Sequence, residues 1–422
     1  MSKWKLWSYE NGLVLMMSLM NGIVALDRTA VSLLSPYIVP EFHLNNTQLG
    51  LLASGLSVTI AGSGFLMASL ADGTGRRKPI LVAMLVLFSL FSATSGLATG
   101  FVMLLAARCI LGAAEGPLAP IGQSVVALES AEHRRGLNMG IMLNLGAALV
   151  GMGVGPLATT HLADAFGWRS AFFLSAAPGL VLAVAMIFWM RPPPEPPKTA
   201  PEAKVAGGTG VLSLLGSRNI LLCLVISGLY SAWLIVQGVF MPIYLTRTDG
   251  LKPTDMGLVL ALTSPAVALG GMLVPAISDR IGRKPALAAI CFVGMLAPLA
   301  VLLIHGPVWL MTVALVIGMF GGGAGPLYVA VVPTESAPAR HAATAVAISL
   351  ASGEIIGGVL GPTIAGRVAD LTGPGAPFWI CAGCAGVSGL LALFLKETAP
   401  AKVRLQASQT PLTPAKAGAQ DK

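Results

Sequence analysis

The chain has 422 residues, is 55% hydrophobic and only 10% charged, and carries a formal net charge of +8. A soluble protein of this length needs far more charge to cover its surface, so this is a membrane composition. The basic residues cluster at the ends of apolar runs, which excludes nucleic acid as their explanation, and the five cysteines all fall inside such runs, which excludes a disulfide framework.

The first apolar run, 12–38, follows Lys3 and Lys5. It is too long for a signal peptide and lacks a small-x-small cleavage site ahead of a soluble domain, so it reads as an uncleaved first span. Inside it Asp27 and Arg28 stand side by side. A charge at that depth costs about 2.5–3.5 kcal/mol on insertion scales, tolerable only beside a wet cavity, with a partner, or through a change of protonation. Spanning-length runs recur at 47–70, 79–100, 102–128, 137–162, 170–190, 219–245, 256–277, 286–305, 307–332, 342–368 and 375–395, which makes twelve. Turn chemistry separates them, as in Pro40-Glu-Phe-His43, Asp72-Gly-Thr-Gly75 and Thr248-Asp-Gly250. The Pro-, Ala- and Gly-rich segment 191–218 reads as a linker between a six-span bundle at 1–190 and another at 219–397. The polar tail, 398–422, is expected to be disordered. Cys381-Ala-Gly-Cys384 has metal or redox spacing but no second pair and lies in mid-run, so it reads as small packing residues. No metal or cofactor is expected.

With both termini on the cytoplasmic side, twenty Lys and Arg fall in inner loops and tails, four (Arg169, Arg247, Lys252, Arg367) fall outside, and Arg28 and Arg108 are buried. That bias predicts the orientation by the positive-inside rule and places the basic surface against an anionic inner leaflet, that of the inner (plasma) membrane.

The two halves repeat each other. Asp72-Gly-Thr-Gly-Arg76-Arg77-Lys78-Pro79 matches Asp279-Arg-Ile-Gly-Arg283-Lys284-Pro285 at an offset of 207 between the Asp residues. Glu129-Ser-Ala matches Glu335-Ser-Ala at 206, Gly155-Pro156 with Ala163-Asp164 matches Gly361-Pro362 with Ala369-Asp370 at 206, and Gly116-Pro-Leu matches Gly325-Pro-Leu at 209. Two parallel six-span halves can rock about a midplane site. The two Asp/Gly/Arg loops resemble the signature loop of the major facilitator superfamily. The family's Gly four residues before the Asp is Ala68 or Pro275 here, and Gly73 replaces the usual basic residue in the first copy. The resemblance implies an all-α membrane protein of twelve transmembrane helices in two six-helix bundles, working as a monomer. Asp72, Arg76, Arg77, Asp279 and Arg283 read as a conformational latch of charge-assisted bonds at inner helix ends. Purely topogenic charge explains the Arg and Lys but not the repeated Asp.

Five ionisable groups fall well inside spans: Asp27, Arg28, Arg108, Glu115 and Glu354. Arg108 and Glu115 are seven residues apart, hence on one helix face about 10 Å apart, a gap for a small substrate or a partner from the first span. Neither Asp27 nor Glu115 is guaranteed a local partner, and desolvation raises a carboxyl pKa toward the working range. Asp27-Arg28, together with Arg108-x-x-Leu-Gly-x-x-Glu115-Gly-Pro117, is similar to the anion:cation symporter branch of the superfamily, which includes galactonate- and sialin-like carriers. That resemblance implies proton coupling at Asp27 and Glu115 and anion handling by Arg28 and Arg108. Chemistry agrees, because Arg stays charged and grips carboxylate as a bidentate fork. Arg28→Lys is therefore expected to be severe and Arg108→Lys milder. Glu354, among Ser352, Gly357 and Gly358, reads either as an additional site or as a helix-packing group. Tyr230, Trp233 and Gln237 fall at i, i+3 and i+7 and offer either a substrate wall or ordinary packing, with Gln123 and Ser124 as weaker candidates.

The reading is a secondary carrier for a small organic anion (a sugar, hydroxy or aromatic acid) and a proton. A drug/proton antiporter is the alternative within transport, but two buried Arg disfavour a cationic cargo. An enzyme is not supported, because the five His are dispersed and no HExxH, GxSxG or Walker loop is present.

Overall fold

The computed structural model describes residues 8–131, 134–192, 214–338, 341–399 and 402. Most of the linker expected at 191–218, most of the tail and the side chain of Asp72 lie outside the described residues. The first half comprises α1 (Tyr9–Leu33), α2 (Asn46–Thr74), α3 (Arg77–Gly96), α4 (Phe101–Glu129), α5 (Leu137–Phe166) and α6 (Trp168–Trp189). The second comprises α7 (Arg218–Arg247), α8 (Pro253–Ile281), α9 (Arg283–Leu303), α10 (Val308–Ser336), α11 (Thr344–Thr372) and α12 (Ala376–Ala392). Ten of these are long and apolar enough to cross a bilayer; α2 has 29 residues and α12 is a shorter apolar helix. The run predicted at 12–38 is broken at Leu34, beyond which a short helix, Ser35–Phe42, continues it.

Local chemistry sets the ends. Ser8 caps α1, and Asn45 with Gln48 forms a full capping box on α2. Gly167 and Gly373, 206 residues apart, turn the chain into α6 and out of α11 with φ of 81° and 115°, a region that favours glycine. Lys78 donates to the last carbonyls of α6, Ile187 O at 2.9 Å and Met190 O at 2.5 Å, the cation at the negative helix end. Near the opposite end Glu41 accepts from Trp168 Nε1 at 2.6 Å and pairs with Arg169 at 2.7 Å. The indole N–H foremost, and Arg169 with it, hold the Glu41 carboxyl below its usual range against the upward push of burial.

One irregularity is shared by the two copies. Residues 147–154 of α5 and 353–360 of α11, 206 apart, are both π-helical. Each stretch runs into Gly-Pro, where Pro156 and Pro362 have no N–H to donate. The preceding Gly155 and Gly361 bond five residues back, to Val150 O and Ile356 O.

The halves meet at the end opposite the basic loops. Asp370 of α11 accepts from the backbone N–H of Asn46 and of Thr47 at 2.9 Å each, and from the Thr47 hydroxyl at 2.5 Å. Farther in, Ser54 donates to Val359 O at 2.6 Å, and Ser264 of α8 donates to Ala148 O of α5 at 2.8 Å. Gly50 lies against the Pro362 backbone and Gly366 against that of Asn46, approaches that a Cβ would block. The apolar core follows suit. One buried cluster runs from the second half through Leu33, Leu34, Leu49 and Leu52 into the first, while Leu13, Met17, Leu81, Leu85 and Val125 pack separately toward the basic end of the first half. The molecule is closed at the far end, with its described contacts between halves gathered there.

Candidate functional site

Neighbouring residues on a helix point about 100° apart, so Asp27 and Arg28 of α1 cannot share one partner. They reach the two ends of the seven-residue interval on α4. Arg108 Nη1 donates to Asp27 Oδ2 at 2.9 Å, and Nη2 reaches the backbone oxygens of Asp27 at 3.3 Å and Arg28 at 3.5 Å. The Ser92 hydroxyl of α3 donates to Asp27 Oδ1. Arg28 donates through Nε to Glu115 Oε1 at 2.8 Å, and its Nη2 is ion-paired with the same oxygen at 2.6 Å. The interval is thus occupied by first-span partners, crossed acid to base. Neither carboxylate finds a partner on its own helix; each is paired with a base on the other one. Asp27 orients Arg108 rather than Arg28.

The two pairs differ in surroundings. The Asp27 and Arg108 side chains are each 2% accessible. Glu115 is 1% accessible but Arg28 is 46% accessible, although α1 is packed among α4, α5, α6 and α7. The Arg28 head group is accessible and within electrostatic reach of Glu354 on the other half, so it faces the space between the halves. Glu115 Oε2 is buried with no hydrogen-bond partner.

Glu354 heads the π-helical stretch of α11, partly exposed, with its carboxyl beside Gly358 and the Ser57 hydroxyl of α2. After Glu115 it is the second carboxylate within electrostatic reach of Arg28. Tyr230, Trp233 and Gln237 line no open space in this conformation. They are at most 2% accessible and packed within the second half. The Trp233 indole donates to Gly294 O at 3.0 Å, the Tyr230 ring lies tilted against it at 4.6 Å, and Gly294 and Gly321 leave room for both. Gln237 donates back to Trp233 O at 2.9 Å.

At the basic end Arg283 pairs with Asp279 at 2.6 Å and Glu335 at 2.9 Å, while Glu397, after α12, accepts from the Arg283 and Lys284 N–H groups. These contacts staple α8, α9, α10 and the chain beyond α12 within one half. In the other copy Arg77 is buried and donates to Ser124 at 2.9 Å, while Arg76 is exposed. Sequence reasoning passed over Ser92 and Asp370. Ser92 belongs to a stripe with Ser89 and Ser95 on one face of α3, and Asp370 belongs to the repeat, so both carried a signal.

Residues 17–353 match the Major Facilitator Superfamily. The hexuronate transporter of Bacillus subtilis is 31% identical over 288 residues, covering 66% of this chain and 67% of that protein. The 3-(3-hydroxy-phenyl)propionate transporter of Escherichia coli is 26% identical over 393 residues, 91% and 93% of the two chains. Among solved structures, that of the nucleoside transporter NupG superposes with a TM-score of 0.76 at 16% identity, over 91% of this chain and all of that one, a likeness of fold. Twelve helices in two repeated bundles, paired charges buried at the seam and these matches together identify the chain as a member of the Major Facilitator Superfamily, a multi-pass membrane transporter and not an enzyme.

Proposed function

We propose that the protein carries a small organic anion together with a proton across the plasma membrane by alternating access. The observation that carries the reading is the Arg28–Glu115 pair: an accessible guanidinium held on one oxygen of a carboxylate whose other oxygen is buried and unpartnered. Stranding one member of a buried ion pair costs about 3–5 kcal/mol. Protonating Asp27 strands Arg108, which no water reaches. Protonating Glu115 frees Arg28, which water or a substrate carboxylate can serve at once. The cheaper proton therefore goes to Glu115, and the same event opens the anion site. Asp27 positions Arg108 and through it the α1–α4 contact.

Relatives named for a hexuronate and a hydroxyphenylpropionate support a carboxylate cargo. The Lys/Arg bias supports cytoplasmic termini, so the closed far end is the outer one and the carrier stands open inward. The halves, 1–190 and 219–397, rock about the site as a monomer, with Asp72, Arg76, Arg77, Asp279 and Arg283 latching the inner end in the opposite state. The test is uptake into proteoliposomes across sugar, hydroxy and aromatic acids, with and without an inward proton gradient. Accumulation of at least one acid driven by the gradient is expected, and gradient-independent uptake of cationic compounds alone would overturn the reading.

A further inference from the structure

Arg28 commits its Nε–H and the Nη2 ion pair to Glu115 and presents the remainder of its guanidinium to the space between the halves. Across that space stands Glu354, on the other half. Among the described residues it makes no hydrogen bond or ion pair, though it is partly exposed and within electrostatic reach of Arg28. Its position on the seam is specific. Val359 and Thr363, one and two turns along α11, already bond Ser54 of α2, so Glu354 lies where the closed contact ends and the open space begins. The Glu354 carboxyl and the Ser57 hydroxyl of α2 both lie against Gly358, and Arg28 is a charged group within its electrostatic reach.

Asp27, Glu115, Arg28 and Arg108 cancel one another in charge, which leaves Glu354 as an unmatched acid. A carboxylate that faces the anion-binding Arg from the opposite half competes with the anion. We propose that Glu354 is an internal stand-in for the substrate: in the empty carrier it takes the free edge of Arg28 as the halves swing and keeps it while the far end is open, so the unloaded site changes state without a bare cation, and it yields Arg28 when a substrate carboxylate binds. This rests on the reading of Arg28 as an anion site. It assigns Glu354 to the return of the empty carrier, whereas Glu115 carries the proton. Glu354 is here a residue that positions Arg28 and sets the empty conformations.

The first measurement needs no substrate. Spin labels replace Phe166 and Leu371, which are exposed at the far end on opposite halves, in the full-length, otherwise cysteine-free chain in nanodiscs. Distance distributions in the empty carrier then report the fraction open at the far end. Glu354→Gln is expected to lower that fraction by about tenfold or more, the scale of one lost hydrogen bond to a charged group. Glu354→Asp should restore much of it, and in an Arg28→Gln background Glu354→Gln should change nothing further. An unchanged distribution in Glu354→Gln, or the same drop with and without Arg28, overturns the proposal. A misfolded Glu354→Gln leaves the decision to Glu354→Asp, whose shorter reach should give a partial drop. In proteoliposomes with labelled glucuronate, Glu354→Gln should keep exchange and lose net uptake. Wild-type protein that accumulates no acid at all, with the distance shift intact, would instead count against the anion reading.

Discussion

Arg28 holds one oxygen of Glu115, donating Nε–H at 2.8 Å with Nη2 ion-paired at 2.6 Å, and the other oxygen of that carboxylate is buried without a partner. The pair is half-satisfied on the acid and half-exposed on the base. In the proposed mechanism a proton arriving at Oε2 weakens the hold on Arg28 at the moment an anion needs it.

Glu115→Gln mimics the protonated acid. Substrate exchange should persist within a few-fold of wild type, and uphill accumulation driven by a proton gradient should disappear. Counterflow and gradient-driven uptake in the same vesicles separate the two. Gradient-driven uptake that survives in Glu115→Gln would move the proton to another acid.

Arg28→Lys keeps the charge but loses the planar fork, and substrate affinity should fall by at least tenfold, about 1.4 kcal/mol. Arg108→Lys now has a different expectation from the milder loss of affinity that the sequence suggested. Arg108 bonds the Asp27 side chain and two backbone carbonyls in a dry site, and a lysine cannot hold all three. The expected result is a lower Tm in detergent, from the loss of about 1.5–3 kcal/mol of charged hydrogen bonding, with the larger loss in Asp27→Asn. Unchanged melting in both would mean that the pair contributes nothing to packing.

Asp370→Ala removes the cap that α11 places on α2. Capping is worth about 0.5–2 kcal/mol, so the population closed at the far end should drop by roughly two- to thirtyfold relative to the open one. Accessibility of a cysteine placed at Ser54 reads this directly. Equal labelling in wild type and variant would reduce Asp370 to a surface contact.

Cysteines in the 191–218 segment and in the 248–252 loop should label from opposite sides of the membrane. Both labelling from one side would overturn the orientation drawn from Lys and Arg positions.

Legibility in the sequence followed range. Twelve spans were visible because a bilayer imposes length and apolarity on each helix separately. The five intramembrane charges were visible because nothing else in an apolar run resembles them. Which acid meets which base was not visible, since the crossed pairing depends on how α1 is rotated against α4. The face formed by Tyr230, Trp233 and Gln237 was correctly periodic, but its destination was set by Gly294 on α9 and Gly321 on α10, whose missing side chains take the rings. Asp370 appeared only as one letter of a repeat, because its role depends on a contact 324 residues away.

The π-helical stretches at 147–154 and 353–360 put a widened turn at one register of both halves, each just ahead of Gly-Pro. Both lie where the halves touch: Ala148 O takes the Ser264 hydroxyl and Val359 O takes that of Ser54. Each half therefore meets the other through the backbone of its own widened turn.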